Sequence, residues 1–129
     1  MVKFSYTILY VPDVTQAVAF YEQAFGLKRR FIHESNQYAE METGGTALSF
    51  AANELALSNL PEGFQENSRS VLPAGIEIGF VVENVPAAFA KAVEAGAMAV
   101  VEPKVKPWGQ TVAYVRDLDG ILVEICSAM

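Results

Sequence analysis

Apolar and polar positions alternate, shift to helical spacing, and alternate again, and the chain runs through that order twice. Tyr6 to Ala24 reads YTILYVPDVTQAVAFYEQA and Glu77 to Ala95 reads EIGFVVENVPAAFAKAVEA. At a constant offset of 71 residues, Val11 matches Val82, Val14 matches Val85, Ala17 matches Ala88 and Ala19 matches Ala90. Each copy predicts an apolar strand, a turn with Asp13 or Asn84 as N-cap, and then a helix. Tyr38 to Phe50 also lies against Ala113 to Ile125 without a gap at offset 75, with Gly45 opposite Gly120. Both of these stretches read as hairpins, turning at TGG and DLDG. Strand, helix and hairpin repeating in order predict an α+β chain of two tandem βαβββ modules.

The first strand is expected over about Phe4 to Val11 and the first helix over about Val14 to Phe25, closed by Gly26. Val14, Ala17, Val18, Tyr21 and Phe25 recur at helical spacing and should face the sheet. The second strand is expected near Lys28 to Glu34, and two more flank Gly44 and Gly45. Residues from about 53 to 75 form a connector with Pro61, Gly63, Pro73 and Gly75, and a helical turn is expected near Asn53 to Leu60. The second copy supplies a strand from about Ile76, a helix over about Pro86 to Ala95 ended by Gly96, a strand near Ala99 to Pro103, and two around Asp119 and Gly120. Module one thus covers about residues 3–52 and module two about 76–127, within one domain of residues 1–129.

Period-two alternation assigns the strand faces. Thr7, Leu9 and Val11 oppose Tyr6, Ile8 and Tyr10; Leu48 and Phe50 oppose Ala47, Ser49 and Ala51. Ile78, Phe80 and Val82 oppose Glu77, Gly79 and Val81; Ile121, Val123 and Ile125 oppose Leu122, Glu124 and Cys126. One set is bulky and apolar apart from Thr7, as a helix-covered face requires. The other mixes carboxylates, hydroxyls and small residues, as the lining of a ligand cavity would. The anomaly is two acids within apolar strands, because a buried carboxylate costs several kcal/mol unless paired, hydrogen-bonded or metal-bound. Since Glu77 and Glu124 fall at repeat-related positions, they are expected to share a site.

Composition narrows the partners. A net charge of −6 argues against nucleic acid, which requires clustered Lys and Arg. No apolar run approaches the roughly 18 residues of a spanning helix, and no signal-peptide pattern opens the chain, so a cytoplasmic protein away from membranes is expected. The single Cys126 excludes an internal disulfide and reads as a small buried hydrophobe. His33 is the only histidine, which removes the usual nucleophile–base sets from consideration.

Three segments together resemble the vicinal oxygen chelate superfamily, which includes glyoxalase I, extradiol dioxygenases, fosfomycin-resistance enzymes and bleomycin-binding resistance proteins. They are YVPDVTQAVAFYEQAFGLK, FVVENVPAAFAKAVEAGA and PWGQTVAYVRDLDGILVEI, and the likeness covers essentially the whole chain. The last departs from the superfamily's usual D-P-D-G-N by Leu118 and Ile121. The resemblance implies a curved, partly open mixed β-sheet with helices on its convex face, a ligand in the concavity, and often a homodimer. It also implies a divalent metal held by His or Glu at four positions, which here are Tyr6, Ser49, Glu77 and Glu124. Of these only Glu124 keeps the glyoxalase I residue type, and Tyr6 and Ser49 are poor ligands for a divalent ion. No cofactor is therefore expected, although two carboxylates still offer a weak site for Mg²⁺ or Mn²⁺.

Other candidates surround that set. Tyr114 stands ten residues before Glu124, the spacing at which extradiol dioxygenases carry an active-site tyrosine. Trp108 reads as a pocket wall or a loop anchor, and His33 as a titratable group or an exposed edge residue. Two functions remain open. One is a metal-free small-molecule binding protein, its ligand met by Tyr6, Tyr10, Ser49, His33, Trp108, Tyr114 and the two glutamates. The other is a lyase- or isomerase-type enzyme, distinct from typical glyoxalase I, in which Glu77 and Glu124, with Tyr114, hold a weak metal or act as an acid–base pair.

Overall fold

Eight strands and three helices form in the computed structural model, which describes residues 1–129. In module one, β1 (Tyr6–Val11) leads into α1 (Val14–Phe25), followed by β2 (Lys28–Ile32), β3 (Tyr38–Glu42) and β4 (Ala47–Ala52). The connector opens with α2 (Asn53–Asn59). Module two repeats the order with β5 (Glu77–Val81), α3 (Val85–Glu94), β6 (Met98–Val105), β7 (Thr111–Arg116) and β8 (Leu122–Cys126). The result is an α+β fold of two four-stranded mixed sheets, ordered β1-β4-β3-β2 and β5-β8-β7-β6. In each sheet the first strand pairs parallel to the last, and the remaining ladders are antiparallel.

Local chemistry explains the helix ends. The Asp13 carboxylate accepts the Gln16 amide at 3.1 Å, and the Asn84 side-chain carbonyl accepts that of Ala87 at 3.0 Å. Each satisfies an amide that would otherwise lack a partner in the first turn. Gly26 ends α1 in the left-handed region at φ 68°, which a residue with a Cβ rarely adopts. Most of the expected apolar stripe of α1 is buried: Val14, Ala17, Val18 and Tyr21 pack inward, the Tyr21 ring meets Phe50 of β4 at 5.1 Å, and Phe25 at the helix end is half-buried. In module two the corresponding core is Val85 and Ala92 with Val115, Val123 and Ile125.

The repeat carries an irregularity that gapless matching misses. Glu40 pairs with Ser49 across β3 and β4, whereas Tyr114 pairs with Glu124 across β7 and β8. The last strands keep the offset of 75, from 49 to 124, but β3 and β7 differ by 74, from 40 to 114. The second hairpin is one residue longer. The left-handed glycine of this hairpin is Gly120, whereas in module one it is Gly44, at φ 92°, rather than Gly45, which stands opposite Gly120 at the offset of 75.

The chain divides into two compact units, residues 1–22 with 26–66 and residues 23–25 with 67–129. The second half of the connector therefore belongs to module two. Arg116 fixes it there: its guanidinium donates to the carbonyls of Ser68 at 3.0 Å, Val71 at 2.7 Å and Gly120 at 2.8 Å. Arg69 donates to the carbonyls of Asp117 and Gly96. Asp117, fully buried, closes the hairpin by accepting the amides of Asp119 and Ile121. No helix is long and apolar enough to cross a membrane.

Candidate functional site

The register of module two brings its acids together. Gly79 is the direct partner of Glu124 on parallel strands β5 and β8, and Glu77 lies two residues earlier on the same face. Diagonal neighbours in a sheet are within reach of long side chains. Glu77 and Glu124 are close enough that each shifts the titration of the other. Partial desolvation, then polar interaction with Glu124 and its charge, raise the Glu77 carboxyl above its ordinary value. Glu77 is nonetheless exposed as a residue, so solvent screens much of that effect. At Glu124 burial works in the same upward direction. The hydrogen bond from Tyr114, polar interaction with the neighbouring Cys126 and Glu77, and the charge of Lys106 outweigh it and hold this carboxyl below its ordinary value. Between the two titrations the pair keeps one proton, on Glu77, and titrates as a unit.

Two further groups complete the cluster. The Tyr114 phenol, directly across from Glu124, donates to its carboxylate at 3.0 Å. Desolvation and the two glutamates push that phenol up to about 12. The buried Cys126 thiol donates to the Phe80 carbonyl at 3.6 Å and lies beside Glu124. Desolvation and the Glu124 carboxylate push it up to about 11, so it stays protonated near neutral pH and is a weak nucleophile.

The remaining sequence candidates occupy other places. Tyr6 is 53% exposed on β1, and Ser49 on β4 is fully buried, its hydroxyl 3.2 Å from that of Tyr38. Tyr38, absent from the candidates, donates to Glu40 at 2.8 Å, and Glu40 also meets Arg30 at 3.3 Å. Alternation along β3 puts Tyr38, Glu40 and Glu42 on one face and Ala39 and Met41 on the other, the signal that could have found this set. Tyr10 packs edge-on against Phe64, the ring centroids 4.9 Å apart. His33 is exposed beyond β2, where its Nδ1 accepts the Ser35 amide at 3.1 Å within a tight turn. Trp108 has an exposed ring, and its indole N–H donates at 2.8 Å to Gln110, which is tied in turn to the Ser127 carbonyl.

The donor set does not fit a catalytic divalent metal of the usual kind. No three His, Cys, Asp or Glu side chains group so as to hold an ion. Glu77 and Glu124 provide two carboxylates, one ligand short of the three protein donors normal for catalytic zinc. What the cluster can do is accept hydrogen bonds or positive charge and exchange a proton.

Comparison with known proteins agrees with this architecture. The family described as Glyoxalase-like domain matches residues 4–129. No curated protein matches the chain. Among solved structures, a glyoxalase/bleomycin resistance protein/dioxygenase family enzyme from Burkholderia phytofirmans superposes with a TM-score of 0.85 at 23% identity, covering 99% of this chain and 100% of that one. A glyoxalase-related enzyme from Fulvimarina pelagi gives 0.83 at 18% identity, covering 99% and 89%. A member of the same superfamily from Sphaerobacter thermophilus gives 0.73 at 17% identity, covering 99% and 98%. At these identities the likeness establishes the fold alone.

Proposed function

The chain belongs to the Glyoxalase-like domain family, and from that premise we propose that it binds a small organic molecule without a glyoxalase-type metal. The observation that carries this reading is the Glu77–Glu124–Tyr114 cluster: two carboxyls on one face of adjacent strands whose titrations are shifted in opposite directions, with a phenol donated to one of them. Such a group attracts a ligand that presents a cation or hydrogen-bond donors. Binding needs no nucleophile and no third metal ligand, which suits both the protonated thiol and the donor set. A homodimer in the cytoplasm, with neither nucleic-acid nor membrane partners, belongs to the same proposal. The exposed valines of β6 and the net charge of −6 support parts of it, and light scattering and cell fractionation test it.

The test is divalent metal content by elemental analysis, on protein purified without chelators or a metal-affinity tag and then offered Mn²⁺, Ni²⁺ and Zn²⁺. The Glu77→Gln/Glu124→Gln variant runs alongside. No stoichiometric metal in either protein is expected. Near-stoichiometric metal in the wild type, lost in the variant, would sink the metal-free reading.

A second reading rests on the opposed shifts of the two carboxyls. A raised Glu77 beside a lowered Glu124 is the split that lets one acid hold a proton while its neighbour accepts one. That suits a lyase or isomerase reaction on a small oxygenated substrate. Turnover of a carbonyl or enol substrate with a bell-shaped pH profile, abolished by either Gln substitution, would favour it over binding alone.

A further inference from the structure

One residue of β5 has no side chain, and it stands beside the acids. Gly79 is the direct partner of Glu124, and alternation puts it on the face that carries Glu77 and Val81. Its backbone does not demand glycine, since the positive-φ glycines are Gly26, Gly44, Gly63, Gly96, Gly109 and Gly120. Packing does not demand it either: a Cβ placed there would meet nothing within 4 Å. Glycine within a strand loses backbone entropy and cross-strand packing, and one use that offsets this is close approach by another molecule. Module one makes the comparison direct. Its equivalent position, 71 residues earlier, is Ile8, which pairs with Ser49 and fills the same place with a branched side chain. The open position occurs in the module that carries the paired acids.

We propose that Gly79 is the seat of the ligand, where a planar group rests on bare backbone while its cationic or hydrogen-bond-donating end reaches Glu77 and Glu124. This rests on the binding reading above and adds the residue that sets the size and shape of what binds. The ligand class is a flat, amine- or amidine-bearing organic molecule, because the recognition group is anionic and the floor is peptide. A side chain at residue 79 would occupy the ligand's space without disturbing any protein contact.

Benzamidine tests this, titrated into isotopically labelled protein while amide shifts are followed in the wild type and in Gly79→Ala, Gly79→Leu and Glu124→Gln. Thermal melting and light scattering accompany each titration. In the wild type the shifts should centre on residues 79 and 124. Affinity should fall by roughly tenfold or more in Gly79→Leu and by less in Gly79→Ala, as overfilling a matched surface predicts. Both variants should melt at or above the wild-type temperature, since strands favour residues with a Cβ. Wild-type affinity in Gly79→Leu, with binding lost in Glu124→Gln, would overturn the seat and leave the acid site standing. No shift at either residue in the wild type would overturn both readings. A changed oligomeric state in Gly79→Leu with benzamidine affinity intact would overturn the seat in favour of a second chain at β5.

Discussion

The two modules share a backbone plan and carry the same chemistry in opposite places. In module one the carboxylate is on β3, as Glu40, and the hydroxyl opposite it on β4 is Ser49. In module two the hydroxyl is on β7, as Tyr114, and the carboxylate opposite it on β8 is Glu124. Their surroundings differ more than their positions. The register of β2 shifts at Arg30, and that guanidinium meets both Glu40 and Glu42. The matching irregularity in β6 falls at Val100, an exposed apolar residue. Glu124 instead faces a second acid, Glu77, whose counterpart on β1 is Tyr6. An acid beside a guanidinium is neutralised and stays put, whereas an acid beside an acid retains a proton that it can exchange. Repetition of a fold does not repeat its charge pattern, and here that difference distinguishes the module with a candidate site.

The largest effect should come from the Arg116 clamp, a device module one lacks, since Glu42 holds the corresponding place on β3. Arg116→Met would leave the Ser68, Val71 and Gly120 carbonyls without their donor, and a loss of about 3 kcal/mol in urea unfolding is expected. Gly120→Ala should be comparably damaging, because its Cβ would fall 2.5 Å from the Ser68 carbonyl oxygen at φ 85°. A loss below about 0.5 kcal/mol for Arg116→Met would place it with ordinary surface substitutions and remove the distinction.

Within module one, Ser49→Ala should cost about 1 kcal/mol, the ordinary value of a buried hydroxyl contact, because Tyr38 keeps Glu40 as its acceptor. Arg30→Met should lower the melting temperature by leaving Glu40 and Glu42 without their shared cation. No change would mean that module one, too, holds a tolerant acid.

The acids of module two should respond to pH in opposite senses. Glu77 is raised on folding, so its contribution is fully present below the ordinary carboxylate value and lost as pH rises through its folded one. Glu124 is lowered, so its contribution is present above the ordinary value and lost as pH falls through its folded one. Glu77→Gln should therefore raise the melting temperature at neutral pH, and Glu124→Gln should lower it. Both differences should shrink in acid. Parallel melting curves at all pH values would show that the two carboxyls do not share a proton.

The smallest effect concerns Cys126, which stands where module one has Ala51. With its thiol near 11, iodoacetamide labelling of the folded protein should be slow near neutral pH, steepen toward alkaline pH, and become fast on unfolding. Rapid labelling at neutral pH would mark an ionised sulfur and make module two chemically more aggressive than described.

Much of the fold was legible because its signals are local. Asp13 and Asn84 announce helix starts through their own side chains, Gly26 announces an end through its backbone, and the α1 stripe follows from spacing alone. The helical turn expected near Asn53 to Leu60 appears as α2. The hairpin register was less legible, since a one-residue difference in loop length leaves no trace in hydrophobicity. Pairing of Glu77 with Glu124 was expected from their repeat-related positions, and the parallel register of β5 and β8 carries it out. The Tyr38–Glu40–Arg30 set was not foreseen, because Arg30 reaches Glu40 at an irregularity in β2 that strict alternation cannot express.

The sequence by itself determined the two-module plan, the helix caps and the face on which each acid would lie, because these depend on residues close in the chain. Tertiary structure decided which acid meets a cation and which meets another acid, and which half of the connector is clamped to module two. Those outcomes depend on register between strands far apart in sequence, where one residue of slip carries a side chain to the opposite face.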